Sequence, residues 1–376
     1  TSYMNWSIQN RQLFETKSKY AICQLIMNSD KYVLSAIALI QSIQKHFQPD
    51  FVLFVNNISE RAILALKSLN NTTVIQVELI DFPVNADIWP RFKHNYTWLS
   101  TCFTKFYAFS LTNYQKVLFL DSDMLCLQNF EKLFQLATPA GCLVSKQKAG
   151  FQSGVLLTPL ETILALQSGY GISGACFLIS PRENEFNELM NRLAQQVQKF
   201  QHYKEDFATM CDQIQINSHF SPQDQQQLSK IVFNAGPDEQ LLTHHYFGKW
   251  VNISRQFCCV PWLVGKFQAG QFKINYLKGT NQEGSYRISD SLDFDGQYDK
   301  EQRRKVYLIH YVAEKPWEKI GQKMWPDCKL FFDQLACFED QQFVRDVFGD
   351  VSAFEYVSQQ EADHVWENDF RRKFDK

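Results

Sequence analysis

Val117-Leu118-Phe119-Leu120-Asp121-Ser122-Asp123-Met124-Leu125-Cys126-Leu127 is the stretch whose reading decides the fold. Its four leading apolar residues lack polar alternation and read as a strand buried on both faces, the kind found in the middle of a mostly parallel sheet. Residues two apart on an extended chain point the same way, so Asp121 and Asp123 can present both carboxylates to one spot at the strand's end. That is where open α/β sheets bind their ligands. Two hard oxygen ligands suit Mg²⁺ or Mn²⁺, which keep positions free for the oxygens of a diphosphate. A second Asp-x-Asp, Asp293-Phe294-Asp295, lies in a polar stretch with no strand feeding it and reads as solvated loop.

Upstream of this stretch, strand and helix patterns alternate. Tyr20–Met27 is strand-like, Asn28-Ser29-Asp30 supplies a turn and a helix cap, and Tyr32 to Phe47 carries Leu34, Ile37, Ala38 and Ile43 at helical spacing. Phe51–Val55 reads as a second strand, Ser59 to Leu69 as a helix, and Thr73 to Ile80 as a third strand. Such alternation implies parallel strands joined by right-handed crossovers. Asp81 to Trp98 is an irregular connection, and Thr101 to Thr112 reads as a helix carrying Lys105 into the central strand.

Downstream, Phe130 to Leu136 looks helical, and Gln152–Leu157 and Ile172–Ile179 are two similar apolar segments. Glu183 to Phe200 is an amphipathic helix, and Pro237-Asp238-Glu239-Gln240 opens another with acids in its first turn. Val306–Ile309 is a further buried strand and ends at His310. The expected division is an N-terminal arm (1–18), a main α/β domain (19–320) with insertions at about 200–235 and 268–304, and an accessory helical segment (321–376).

With 376 residues, 45% hydrophobic and 21% charged, the chain has ample material for a core and is not wholly disordered. A formal net charge of −2 gives no indication of nucleic acid as the main partner. No apolar run approaches the ~20 residues that span a bilayer. The ten cysteines are scattered without a CxxC pair, as in reduced core residues, which makes a cytoplasmic protein the expectation. The chain opens on Thr1 rather than Met, which leaves room for a removed targeting segment. Asn-x-Ser/Thr tripeptides at Asn57, Asn70, Asn71, Asn95 and Asn252 are ordinary for an Asn-rich sequence.

His310 is followed by Tyr311-Val312-Ala313-Glu314-Lys315-Pro316-Trp317, which brings a cation and a rigid Pro-Trp corner close to a metal-capable imidazole. A lysine near a metal suits the remaining charge of a diphosphate. Taken singly, each residue has a plainer reading: His310 at a core rim, Lys105 on a solvated helix face, Tyr32 at a core edge, Asp238 as a helix cap.

The run Thr104-Lys105-Phe106-Tyr107-Ala108-Phe109-Ser110-Leu111-Thr112-Asn113-Tyr114-Gln115-Lys116-Val117-Leu118-Phe119-Leu120-Asp121-Ser122-Asp123 resembles the core block of glycosyltransferase family 8, the glycogenin-like enzymes. The resemblance runs from about Tyr20 to Trp317. It implies an α/β GT-A (Rossmann-like) fold, with a mixed, mostly parallel sheet flanked by helices, and transfer of a hexose from a UDP-sugar with retention, using Mn²⁺ or Mg²⁺. On that resemblance Asp121, Asp123 and His310 are the metal ligands. Lys315 and Lys105 contact the donor, Tyr32 stacks on uracil with Ile26 and Asn28 nearby, and Ser122 lies on the nucleotide side. Asp238 and Glu239 resemble the pair beside the reacting sugar, and Ser173-Gly174 a strand start next to it. The gap from His310 to Lys315 is one residue shorter than in glycogenin and lacks its glycine. Ile172 stands where that enzyme has Asn, and an alternative alignment runs through Gln152-Ser153-Gly154.

The expected activity is retaining transfer of a hexose, glucose first, to a protein or oligosaccharide acceptor. A homodimer is compatible with the resemblance. The rivals are a catalytically idle UDP-sugar or glycan-binding protein on the same fold, and a haloacid-dehalogenase-type phosphatase. The phosphatase pattern would put Thr or Val where Leu125 stands.

Overall fold

In a computed structural model the chain is described at residues 16–82, 99–144, 153–158, 161–162, 165–166, 170–198, 236–268, 305–312, 314–318, 321–322 and 327–351. Most of the expected arm, the insertion at 200–235, nearly all of the one at 268–304, Asp293 and Asp295, and the chain beyond 351 lie outside the described residues.

Strand β1 (Tyr20–Met27) leads through Asn28, in the left-handed region at φ 64°, into helix α1 (Asp30–Gln44). The Ser29 hydroxyl accepts a hydrogen bond from Lys31 N at α1's start. Strand β2 (Asp50–Asn56), helix α2 (Glu60–Lys67) and strand β3 (Thr72–Gln76) complete the alternation, with β3 ending four residues earlier than its apolar pattern suggested. β4 (Lys116–Leu120) follows, then β5 (Met124–Cys126), β6 (Ala140–Leu143) and β7 (Ile172–Ile179). The remaining elements are α3 (Glu185–Gln198), α4 (Pro237–His245), β8 (Val251–Asn252), α5 (Pro261–Gln268), β9 (Leu308–His310), α6 (Cys328–Leu335) and α7 (Gln341–Phe348).

Seven strands form one sheet in the order β3-β2-β1-β4-β7-β6-β8. Strands β3, β2, β1 and β4 run parallel, and β7 is antiparallel to both β4 and β6. This is the mixed, mostly parallel α/β arrangement of the GT-A type. The central strand is two-faced as its sequence required: Leu118 and Leu120 join the core under α1, while Val117 and Phe119 join the opposite core with Phe177 and Ile179 of β7. Burying both faces explains why neither β4 nor β7 alternates with polar residues.

The segment expected as a helix over Thr101–Thr112 is a 3₁₀ helix over Leu99–Ser110. Three residues per turn place every third side chain in line, and Phe103, Phe106 and Phe109 pack in a row, tilted and then edge-on, at 6.1 and 5.9 Å between ring centres. The same period lines Lys105 up with Cys102 and Ala108, all three buried. The Phe130–Leu136 helix is likewise a short 3₁₀ turn over Glu131–Gln135. The two similar segments differ: Ile172–Ile179 is a full strand, whereas the described residues 153–157 contribute an isolated bridge, Leu156 to Val251.

Outside the large sheet, β5 and β9 form a two-stranded antiparallel ribbon in which Met124 faces His310. Helices α6 and α7 pack over α1, and Arg61 of α2 holds α7 through Asp340 at 2.7 Å and Asp346 at 2.6 Å. Trp317, just after Lys315, sits 5.8 Å from both Phe331 and Phe348, so these helices buttress the Lys315 turn.

Candidate active site

Asp121 and Asp123 leave the C-terminal end of β4, where Asp121 N still donates to Ala175 O of β7 at 3.0 Å. The chain then enters β5, and the ribbon register brings His310 opposite Met124; Tyr311 N donates to Asp123 O at 2.9 Å. Residues nearly two hundred positions apart are thereby fixed by main-chain pairing. The His310 Nε2 atom lies 3.8 Å from Asp121 Oδ2 and 3.5 Å from Asp123 Oδ1, and one ligand atom from each residue falls within 4.8 Å of the others.

Several observations fit this triad to a divalent cation. Two carboxylates and an imidazole are a donor set suited to Mn²⁺ or Mg²⁺. Asp123 Oδ1 is buried without a hydrogen-bond donor, an arrangement that costs about 1–3 kcal/mol unless something else satisfies the oxygen. Burial raises the Asp121 carboxyl above the usual range, opposed chiefly by Lys105. Burial also opposes ionisation of Asp123, but the Lys315 ammonium and His310 outweigh it and hold that carboxyl well below the usual range.

Two lysines flank the triad. Lys315 Nζ donates to Asp123 Oδ2 at 2.5 Å and to Tyr311 O at 2.7 Å. Lys105 Nζ, almost fully buried, bridges Asp238 Oδ2 at 2.6 Å and Gly174 O at 3.2 Å, with Asp121 Oδ1 at 3.7 Å. Desolvation disfavours both ammonium groups, yet the neighbouring carboxylates raise their pKa values above the ordinary lysine value. Each lysine is therefore a permanent cation in a largely buried setting.

Gly174 is required by this packing. A Cβ there would collide with Asp238 Oδ2 and approach Lys105 Nζ to 2.9 Å, so the close approach of β7 to the ion pair depends on the missing side chain. Asp238 sits in the first turn of α4. Its neighbour Glu239 turns back to accept from Gly236 N at 3.2 Å, which is the capping role. Burial, then the adjacent Asp238 charge, pushes the Glu239 carboxyl up to about 7.

Among the residues singled out in the sequence, Asp121, Asp123, His310, Lys315, Lys105 and Asp238 converge. Ser122 lies buried between the two acids. Tyr32, half-buried at the start of α1, lies at the edge of the group and packs edge-on against Trp317 at 5.4 Å. Asn28 is exposed and accepts from the Asn57 amide at 3.2 Å, whereas the Ile26 side chain is wholly buried in the core beneath α1. Ser173 is buried, with its Oγ 3.9 Å from Cys258 Sγ. Sequence reasoning missed Cys258, whose Sγ is 3.7 Å from His310 Nδ1, because nothing local in Phe257-Cys258-Cys259 signals its pairing with a strand fifty residues later.

Among the described residues no helix is long and apolar enough to cross a membrane. A protein of Acanthamoeba polyphaga mimivirus, described as uncharacterized, is 25% identical over 331 residues, 84% of this chain and 90% of that protein. A putative UDP-glucuronate:xylan alpha-glucuronosyltransferase of Arabidopsis thaliana is 29% identical over 143 residues, covering 38% of this chain and only 24% of its own length. Among solved structures, an active-site mutant of LgtC superposes with a TM-score of 0.47 at 16% identity, over 84% of this chain and 96% of that one. Residues 23–321, which hold every member of the converging group, match Glycosyl transferase family 8, and the chain belongs to that family of glycosyltransferases.

Proposed function

We propose that the chain is a retaining hexosyltransferase that uses a UDP-sugar donor, glucose first, and a divalent cation, Mn²⁺ or Mg²⁺, held by Asp121, Asp123 and His310. The observation that carries this reading is the convergence of that triad with two cations, the partly buried Lys315 and the buried Lys105. The UDP-linked donor is further supported by the name of the plant relative. We read residues 19–320 as the transferase unit and 321–376 as an accessory helical segment. Family membership sets aside the phosphatase alternative, and the intact triad disfavours an idle binding protein.

A bound cation would supply Lewis-acid stabilisation of the diphosphate leaving group. The chain's own residues account for the rest. Lys315 has its ammonium on the outer oxygen of Asp123, poised to donate to a phosphate oxygen as negative charge accumulates there. Tyr32 and Asn28 lie where the first strand opens into α1 and would border the base. Asp238 would face the anomeric carbon. Its Oδ2 is tied to Lys105 at 2.6 Å, which blunts it as a nucleophile. We therefore assign it to stabilising positive charge at that carbon while the acceptor hydroxyl attacks from the donor's own face. Lys105 keeps this carboxylate ionised and in place, and Glu239 holds the helix start that carries it. The acceptor is a protein or an oligosaccharide.

The test is a panel of UDP-sugars incubated with the full chain in EDTA and after addition of Mn²⁺ or Mg²⁺, with released UDP measured. Metal-dependent release, fastest from a UDP-hexose, is expected. Absence of metal-dependent release from every donor would overturn the reading.

A further inference from the structure

The His310 imidazole meets different chemistry at its two nitrogens. Nε2 looks toward Asp121 and Asp123, while Nδ1 lies 3.7 Å from Cys258 Sγ. The position of Cys258 is set by main-chain pairing to the strand that carries His310: Cys259 N donates to Leu308 O at 3.0 Å, and His310 N donates to Cys259 O at 2.8 Å. Neither residue can slide without breaking both bonds.

A neutral imidazole donates from one nitrogen and accepts through the other. If Nε2 is to offer its lone pair to a cation, Nδ1 must carry the proton and find an acceptor, usually a carboxylate or carbonyl. Among the described residues, Cys258 Sγ is the partner the structure gives to Nδ1. The thiol has another outlet for its own proton: Ser173 Oγ lies 3.9 Å away. Its sulfur lone pair is thereby free to accept.

We propose that Cys258 is a positioning residue that selects the Nδ1–H tautomer of His310, leaving the Nε2 lone pair aimed between Asp121 and Asp123. This rests on the metal-site reading given above. A thiol is a weak acceptor, so the bias is modest, and a hydroxyl in the same place would sustain it whereas a methyl group would not.

The experiment uses the full chain with ¹⁵N-labelled histidine. Long-range ¹H–¹⁵N spectra report the His310 tautomer with and without Mg²⁺ plus UDP, and Mn²⁺ affinity is read from the free-ion electron paramagnetic resonance signal. The wild type is expected to show protonated Nδ1 when loaded. Cys258→Ala should weaken Mn²⁺ binding about 10-fold, the low end of the range for removing a partner behind a metal ligand. Cys258→Ser should recover most of that loss. Cys259→Ala removes a neighbouring buried thiol whose Sγ bonds to Val260 O at 3.5 Å, and should change thermal stability but not Mn²⁺ affinity. Unchanged affinity and tautomer in Cys258→Ala would overturn the proposal while leaving the transferase reading intact. Equal weakening in Cys259→Ala would reduce the effect to packing and also overturn it. A wild type that binds no Mn²⁺ would remove the metal site itself, and both readings with it.

Discussion

Replacing Lys105 by Met keeps the length and apolar stem of the side chain and deletes only its charge. In the wild type that charge serves two carboxylates, Asp238 at 2.6 Å and Asp121 at 3.7 Å, with the lysine side chain only 10% exposed. Removing one partner of a buried pair strands the other, at a cost of about 3–5 kcal/mol. Since total stabilities are about 5–15 kcal/mol, the variant should still fold with a much reduced margin. The loss should also depend on pH. Burial already raises Asp121, and Lys105 is the chief influence opposing that, so the variant's Asp121 is raised further in the folded state. A carboxyl whose folded pKa exceeds its unfolded one destabilises the fold when ionised. The deficit is therefore full at pH 7.5 and smaller at pH 5, where the folded state takes up a proton. Urea denaturation at the two pH values measures both terms. The double variant Lys105→Met with Asp238→Asn should recover part of the loss, because one stranded charge has gone with its partner. A single variant as stable as wild type at pH 7.5, with undiminished UDP release, would refute the account of this ion pair.

Gly174→Ala should cost about 1–3 kcal/mol of stability by overpacking and lower UDP release by more than that loss explains, since its Cβ collides with Asp238 rather than with core atoms; circular dichroism and turnover together check this. Lys315→Ala should reduce kcat/KM by about 10²–10³-fold, the scale for removing one preorganised donor to developing charge, and steady-state kinetics at saturating Mn²⁺ measures it. Glu239 has a folded pKa raised to about 7 from an ordinary value of 4.5, so the folded state binds the extra proton between those limits and stability should fall as pH rises from about 4.5 to 7. Glu239→Gln should flatten that slope, by about 2–3 kcal/mol across the window, in urea titrations at pH 4.5 and 8.

Much of the fold was legible because β1, β2, β4 and β7 are buried on both faces, and two-sided burial writes uninterrupted apolar runs into a sequence. The Asp-x-Asp at the end of β4 and His310 at the end of β9 were legible for the same reason: polar residues that terminate such runs stand out. The mode of their meeting was not. The register of Met124 against His310 is a pairing across about half of the chain, and no local pattern encodes it. The 3₁₀ geometry over Leu99–Ser110 was hidden in plain view in the three-residue spacing of Phe103, Phe106 and Phe109, which also fits an amphipathic α-helix when counted loosely. The burial of Ile26 was less legible: alternation along β1 turns its side chain under α1. Gly174 carries meaning only through the empty space it leaves for Asp238 and Lys105.

The small ribbon of β5 and β9 has a temporal corollary. As the polypeptide is synthesised, both acids emerge with the first third of the fold, but the imidazole that completes the triad arrives only after residue 308 has been made and has paired with a strand waiting since residue 126. A nascent or prematurely ended product can own a nearly complete large sheet and still be chemically unarmed.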